Sequence, residues 1–431
     1  MRVLRRQTQA LLSALVVTVA STLGSCSSSN GIRCSFANPA RLAESSWPKF
    51  QRDLQNSGSI AVPRPGVDLR VTAQFRDPTG GGFSAGPVLG NGPAGNAKKD
   101  GRVYIGSSSG RLFALDSTTL TELPETEFTF TTTSRIQSTV LVATRQEGEV
   151  LFFGSDLGFV YGITHTGTPQ AQVWPLNTGG ATGIAPALHP TDGTVYATSA
   201  ARALYGICPN GVTRFVNTSI APVTSAPAVT PAGEVVYGGD DRLLRMERSD
   251  GFLLWSISLS APLRNGPVIE VDTEEPTAVK AIYALDSNAR LFKVAPNGTL
   301  LYAIPISSDA SGRSPSVVGS PALAKDRLYL ATTEGDLFAI DTQTGAVVWS
   351  WAAHSEFVAS PVVLDHGDAR TIVIGNTNGN LYLIEDSGNA PGAVLAVPLG
   401  APIRNAIAVS ATQQTPILFV ADEQGTLSRL E

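Results

Sequence analysis

Histidine, methionine and cysteine are scarce in this chain: four, two and three among 431 residues. Charge is sparse as well, at 16% Asp, Glu, Lys and Arg, with a net value of −5. Each shortage closes off a class of function. A mildly acidic balance gives a phosphate backbone nothing to grip, so no nucleic acid is expected as a partner. Two methionines cannot make an adaptable Met-rich surface. There is no HExxH, no Cys-rich metal spacing, no adjacent cysteine pair and no CxxCH haem site. No metal and no cofactor is therefore expected. Helical periodicity is also missing between residues 87 and 431.

Glycine (42), proline (28) and a 42% apolar fraction are plentiful, as many short strands and turns require. The stretch 319–351 holds a complete unit. An inner strand opens at Ser320-Pro321, apolar runs follow at Leu328–Ala331, Leu337–Ile340 and Ala346–Trp351, and Asp326, Glu334-Gly335 and Thr344-Gly345 mark the turns. Such a meander cannot bury its faces alone. The slot of Pro321 recurs at Pro87, Thr139, Pro186, Pro227, Pro267, Pro361 and Ile407, at intervals of 40 to 54 residues. This pattern predicts an all-β fold, an eight-bladed β-propeller of four-stranded antiparallel blades, forming one monomeric domain over 46–431.

The eighth unit stops after a third strand at Leu427–Leu430. The alternating stretch 68–75, DLRVTAQF, is expected to supply its missing outer strand and close the ring, leaving no unpaired edge there. Trp174, Trp255, Trp349 and Trp351 fall on expected outer strands. Phe113, Tyr161, Tyr205, Phe292, Phe338 and Tyr382 recur on third strands, where packing between blades explains them.

At the N-terminus, Arg2, Arg5 and Arg6 precede an apolar run from Ala10 to Ala20, too short for a stable span. Leu23-Gly24-Ser25-Cys26 resembles the lipobox of bacterial lipoproteins. That resemblance implies a signal peptide over 1–25, an acylated Cys26 anchoring the chain to a membrane, and an extracytoplasmic location. Ser27 resembles the outer-membrane-sorted type, so the periplasmic side of the outer membrane or the cell surface is expected. Residues 26–45 read as a flexible tether. Cys34 and Cys208 are read as free small residues, with a bridge pinning the tail to the third blade as the alternative.

Residues 46–58, SWPKFQRDLQNSG, resemble the W-P-x-F-R-x-D opening of propellers with pyrroloquinoline-quinone-type repeats, and G-x-L-F-A-I-D-x-x-T-G at 335–345 resembles their repeat. That family contains quinone enzymes and non-enzymatic scaffolds. The enzymes carry adjacent cysteines, a Trp floor and a Glu/Asn/Asp calcium set; this chain has no Cys-Cys pair and is much shorter than they are. The propeller lipoprotein of the outer-membrane β-barrel assembly machinery is similar in anchor, blade count and size. The resemblance thus implies a non-catalytic scaffold of the cell envelope that binds envelope proteins or peptides. The alternative is an enzyme with a small-molecule site at the central channel.

Of the histidines, only His354 is expected on the face where inner strands begin; His165, His189 and His366 belong to the far face, so no catalytic residues are assigned. Arg264-Asn265 and Arg404-Asn405 share the slot just before an inner strand, and Arg135 lies within a residue of it. These side chains are expected to converge at the channel mouth as a basic funnel for an acidic or extended peptide, with Arg313 of the loop 307–318 at its rim. The alternative is that each arginine satisfies nearby carbonyls or bridges two blades.

Overall fold

Short apolar runs separated by Gly, Asp and Asn turns form hairpins one after another, because each tight turn returns the chain beside the strand just made. In the computed structural model, which describes residues 34, 38–66, 68–96, 98–169, 174–306 and 315–431, these hairpins form eight sheets. Blade 6 shows the plan. Ala322–Ala324, Arg327–Ala331, Asp336–Asp341 and Val347–Ala352 pair antiparallel in sequence order from the axis outward. All eight inner strands begin at the expected slots, from Val88 to Ala408. Among the described residues no helix is long and apolar enough to cross a membrane.

The ring closes as the alternation of 68–75 predicts. Val71–Arg76 runs antiparallel along Thr426–Leu430, with Phe75 opposite Leu427 and Val71 opposite Leu430. Blades then pack face to face. Between blades 5 and 6, Tyr283, Leu285 and Leu291 meet Leu328, Leu330 and Phe338, all buried. The recurring aromatics join blades as expected: the Phe75 and Phe113 rings lie 5.1 Å apart across the closure, and Trp351 and Tyr382 5.0 Å apart between blades 6 and 7.

Two blades depart from the plan. Blade 1 has three continuous strands, and its outer edge is met only by isolated bridges, Leu115 with Glu122 and Arg111 with Thr131. Leu120 takes a left-handed φ of 54° and Pro124 offers no N–H, so a ladder cannot run through this stretch. In blade 2, Trp174 lies before the outer strand rather than on it. Pro175 intervenes, the strand is only Leu176–Asn177, and the Trp174 indole donates instead to the Pro209 carbonyl at 3.2 Å.

The N-terminal segment corrects two expectations. The tether read over 26–45 ends sooner, since Arg41–Leu42 already pairs antiparallel with the inner strand of blade 2. That inner edge has free N–H and C=O groups for a passing chain to fill. Cys34 and Cys208 are bonded to each other, not free, with their Cα atoms 5.2 Å apart. Once Arg41 is fixed in the ring, Cys34 is held beside the far-face turn of blade 3, where Cys208 sits.

Candidate functional site

Eight inner strands meeting at an axis leave eight unpaired edges facing a channel, and buried backbone groups without partners are costly. Residues 43–62 resolve this by threading the channel from the far face and returning to it. Their carbonyls accept N–H groups from six inner strands. Leu89 donates to Trp47 (2.8 Å), Val142 to Pro48 (2.8 Å), Val229 to Leu54 (2.7 Å), Ile269 to Gln55 (3.0 Å), Leu323 to Ser57 (2.7 Å) and Val363 to Gly58 (2.8 Å). Ser59–Ala61 then pairs parallel with Val363–Asp365 on the way out.

Side chains lock this plug. Trp47 is buried among Leu89, Ile407 and Val409. Asn56 donates to the Pro267 carbonyl at 3.1 Å, where the inner strand of blade 5 begins. The ammonium of Lys49 donates to the carbonyls of Phe50 (2.7 Å) and Asp53 (2.8 Å) and to the side-chain oxygen of Asn56 (2.5 Å). Burial pushes Lys49 down to about 7, with the Asp53 charge opposing. Sequence reasoning placed this motif at the start of the propeller and missed its place in the channel. The signal available was the Trp-Pro-x-Phe string itself, which no blade repeats.

Above the plug the channel opens into a cavity of about 190 Å³ on the face where inner strands begin, floored by Phe50 and lined by Arg264, Asn265, Arg404 and Asn405. These four predicted residues are brought together. Arg135 stands nearby, outside the lining, and Arg313 lies outside the described residues. The arginines are not bare cations. Arg264 meets Asp240 at 3.0 Å, Arg404 meets Glu423 at 2.9 Å and Arg135 meets Asp156 at 2.9 Å. Each acid comes from a turn between second and third strands, on the same face. The predicted basic funnel is therefore charge-balanced.

Both asparagines have a structural bond. Asn265 donates to the Leu285 carbonyl at 2.8 Å and Asn405 to the Phe83 carbonyl at 2.9 Å. The Asn265 side-chain oxygen is buried with no hydrogen-bond partner. Hydroxyls around the mouth tie successive blades: Ser320 accepts from the Gly266 N–H at 2.6 Å and Ser360 from the Ser320 N–H at 2.9 Å.

The histidines do not join this site. His366 bonds the Val62 carbonyl and Thr371, and His189 the Thr191 and Asp192 backbone, both toward the far face. Burial lowers the His189 pKa, so the ring is neutral at pH 7. Among the described residues no three His, Cys, Asp or Glu side chains are grouped to hold a metal ion.

Solved structures share this architecture. BamB from Moraxella catarrhalis matches with a TM-score of 0.62 at 14% identity, over 84% of this chain and 97% of that one. A europium-containing methanol dehydrogenase matches at 0.69 and 12% identity, over 89% and 97%. The quinohemoprotein alcohol dehydrogenase from Comamonas testosteroni matches at 0.65 and 12% identity, over 89% and 80%. Identities this low speak for the fold alone, and the fold hosts both scaffold and enzyme. No curated protein matches the chain. The family model described as outer membrane protein assembly factor BamB matches residues 160–389, more than half of the sequence, and the chain belongs to that family.

Proposed function

We propose that this protein is a non-catalytic scaffold of the cell envelope, anchored to a membrane through Cys26, that holds extended segments of outer-membrane assembly proteins at its channel mouth. The observation that carries the reading is the mouth itself. Rigid inner-strand entries present Arg264, Asn265, Arg404 and Asn405 around a plugged floor, and the exposed Ser84 and half-buried Gln137 of the lining offer acceptors for a peptide N–H. An extended chain carries such N–H groups at regular spacing and can match a ring of polar side chains. The paired arginines favour a chain of mixed or neutral charge over a strongly acidic one, because an acid would have to compete with Asp240 and Glu423. Membership in the BamB family supports an envelope assembly role.

The dehydrogenase neighbours raise the question of a quinone site. The residues lining this mouth do not fit one, since no carboxylate is among them and the nearby Asp240 and Glu423 are each held by an arginine. The test is purification of the full, anchored chain from its own membranes beside an Arg135/Arg264/Arg404→Ala variant with an unchanged melting temperature. A partner held by the wild type and lost by the variant supports the reading. Recovery of the same partner by both, or of none by either, overturns binding at the mouth.

A further inference from the structure

The outer strands carry an apolar stripe that neither the ring nor the mouth uses. Leu253 and Leu254 open the outer strand of blade 4, Leu300 and Leu301 that of blade 5, and Val347 that of blade 6. With Phe252 in the preceding turn, these are among the most exposed large apolar side chains of the molecule, between 42% and 61% exposed. The same cause recurs in each blade. The register shifts where third and outer strands begin to pair, so that two residues of the outer strand oppose one neighbour. Such a bulge re-aims side chains, and here it leaves both leucines of each pair outside.

The stripe lies on the far-face rim, since each outer strand starts at the turn that follows a third strand. Consecutive blades bring these turns into contact. Gly251 backs onto the Phe215 ring of blade 3, and Gly298 onto the Trp255 ring of blade 4, where a Cβ would come within 2.8 Å in both cases. The blade before the stripe is blade 3, and its corresponding turn holds Cys208, bonded to Cys34. Cys34 is therefore fixed on this rim. Cys26 stands eight residues earlier, a reach of at most about 28 Å fully extended.

We propose that the far-face rim of blades 4 to 6 docks on a lipid bilayer, with Leu253, Leu254, Leu300 and Leu301 entering the headgroup boundary. The inference rests on the reading that Cys26 is acylated. A lipid is the occupant that the upstream chain specifies. An anchor at Cys26 and a pin at Cys34 hold this rim, rather than the mouth, toward the membrane. The anchor supplies the affinity, and the apolar rim adds a second contact that orients the body on the surface. Arg248, paired with Asp250, lies with its guanidinium 5.2 Å from the centre of the Phe252 ring, so the charge beside the apolar tip is balanced. Docked this way, the mouth faces away from the bilayer and stays open to soluble segments.

The test uses the full chain with its anchor in vesicles whose acyl chains are brominated near the headgroup, compared with ordinary vesicles. Trp255 lies beside the leucines, and the difference between the chain and its Trp255→Phe variant isolates its emission. Trp255 is expected to lose most of its emission in the brominated vesicles. A Leu253→Glu/Leu300→Glu variant, and separately a Cys34→Ser/Cys208→Ser variant, should regain it while still sedimenting with vesicles. If the chain sediments but Trp255 is not quenched, or the Glu variant is quenched equally, the docked rim is wrong and the anchor stands. Loss of a co-purified protein from the Glu variant, with the wild-type Trp255 unquenched, would assign the stripe to a protein partner instead. If the chain does not sediment at all, the anchor reading itself fails, and the docked rim with it.

Discussion

Each blade has two edges, and the protein treats them differently. At the axis, residues 43–62 supply backbone acceptors to six inner strands, and the plug's side chains are buried with them. At the circumference the outer strands remain open, and in blades 4 and 5 they expose leucines. An edge buried at the axis has no water to satisfy it, so it must be paired. An edge at the surface is satisfied by solvent and is free to carry recognition. The difference separates residues that hold the ring from residues available for contact.

Substitutions that cross this divide should differ most in stability. Trp47→Ala is expected to cost about 3–5 kcal/mol, read as a lower denaturation midpoint. Leu301→Ser on the outer edge should stay within about 0.5 kcal/mol. Equal losses at the two sites would break the distinction.

The pH profile should show a second, comparable effect. Burial holds the Lys49 ammonium at about 7 in the folded protein, against about 10.4 in an unfolded chain. Between those values the unfolded chain binds more protons, so stability rises with pH from about 7 to about 10 and is flat below. The change should be on the order of a few kcal/mol across that window, and Lys49→Met should abolish the slope. A wild-type profile that is flat over the same window would mean that the ammonium keeps its charge on the three oxygens around it.

Next comes the link between axis and rim. Cys208→Ser removes the bridge that fixes the start of the plug to blade 3, and a loss of about 2–4 kcal/mol is expected under oxidising conditions. A midpoint unaffected by reductant would show that the plug is held by its backbone bonds alone. The smallest effect belongs to the mouth. Arg264→Ala removes an exposed pair with Asp240, and its stability change should stay under about 1 kcal/mol while partner capture falls.

Much of the ring was legible in the sequence because a propeller repeats its instructions. Eight slots from Pro87 to Ile407 mark the inner strands, and the alternation of 68–75 marks the closing strand, found at Val71–Arg76. The plug was not legible. Its bonds come from the carbonyls of an irregular segment, and every residue type has a carbonyl. The pairing of Cys34 was hidden for a related reason, since nothing at Cys34 or in Arg41–Leu42 announces that they lie against blades 3 and 2. At the mouth, the Arg-Asn slots were visible but their acids were not. Asp156, Asp240 and Glu423 lie in turns 19 to 24 residues away in sequence, and only the folding of a blade, or the packing of blade 5 on blade 4, brings them near.

The way the ring closes also sets an order of events as the chain is made. Val71–Arg76 emerges early, yet its partner Thr426–Leu430 is the last strand to appear. Until then the plug has no finished channel to fill, and the inner strands of all earlier blades stand with their edges open. Contacts of such long sequence separation form slowly and leave apolar edges exposed while they wait. A chain stopped before Thr426 would have nearly every blade and still lack a closed circle. Escort by other factors is thus most needed in the interval before the last five-residue strand arrives.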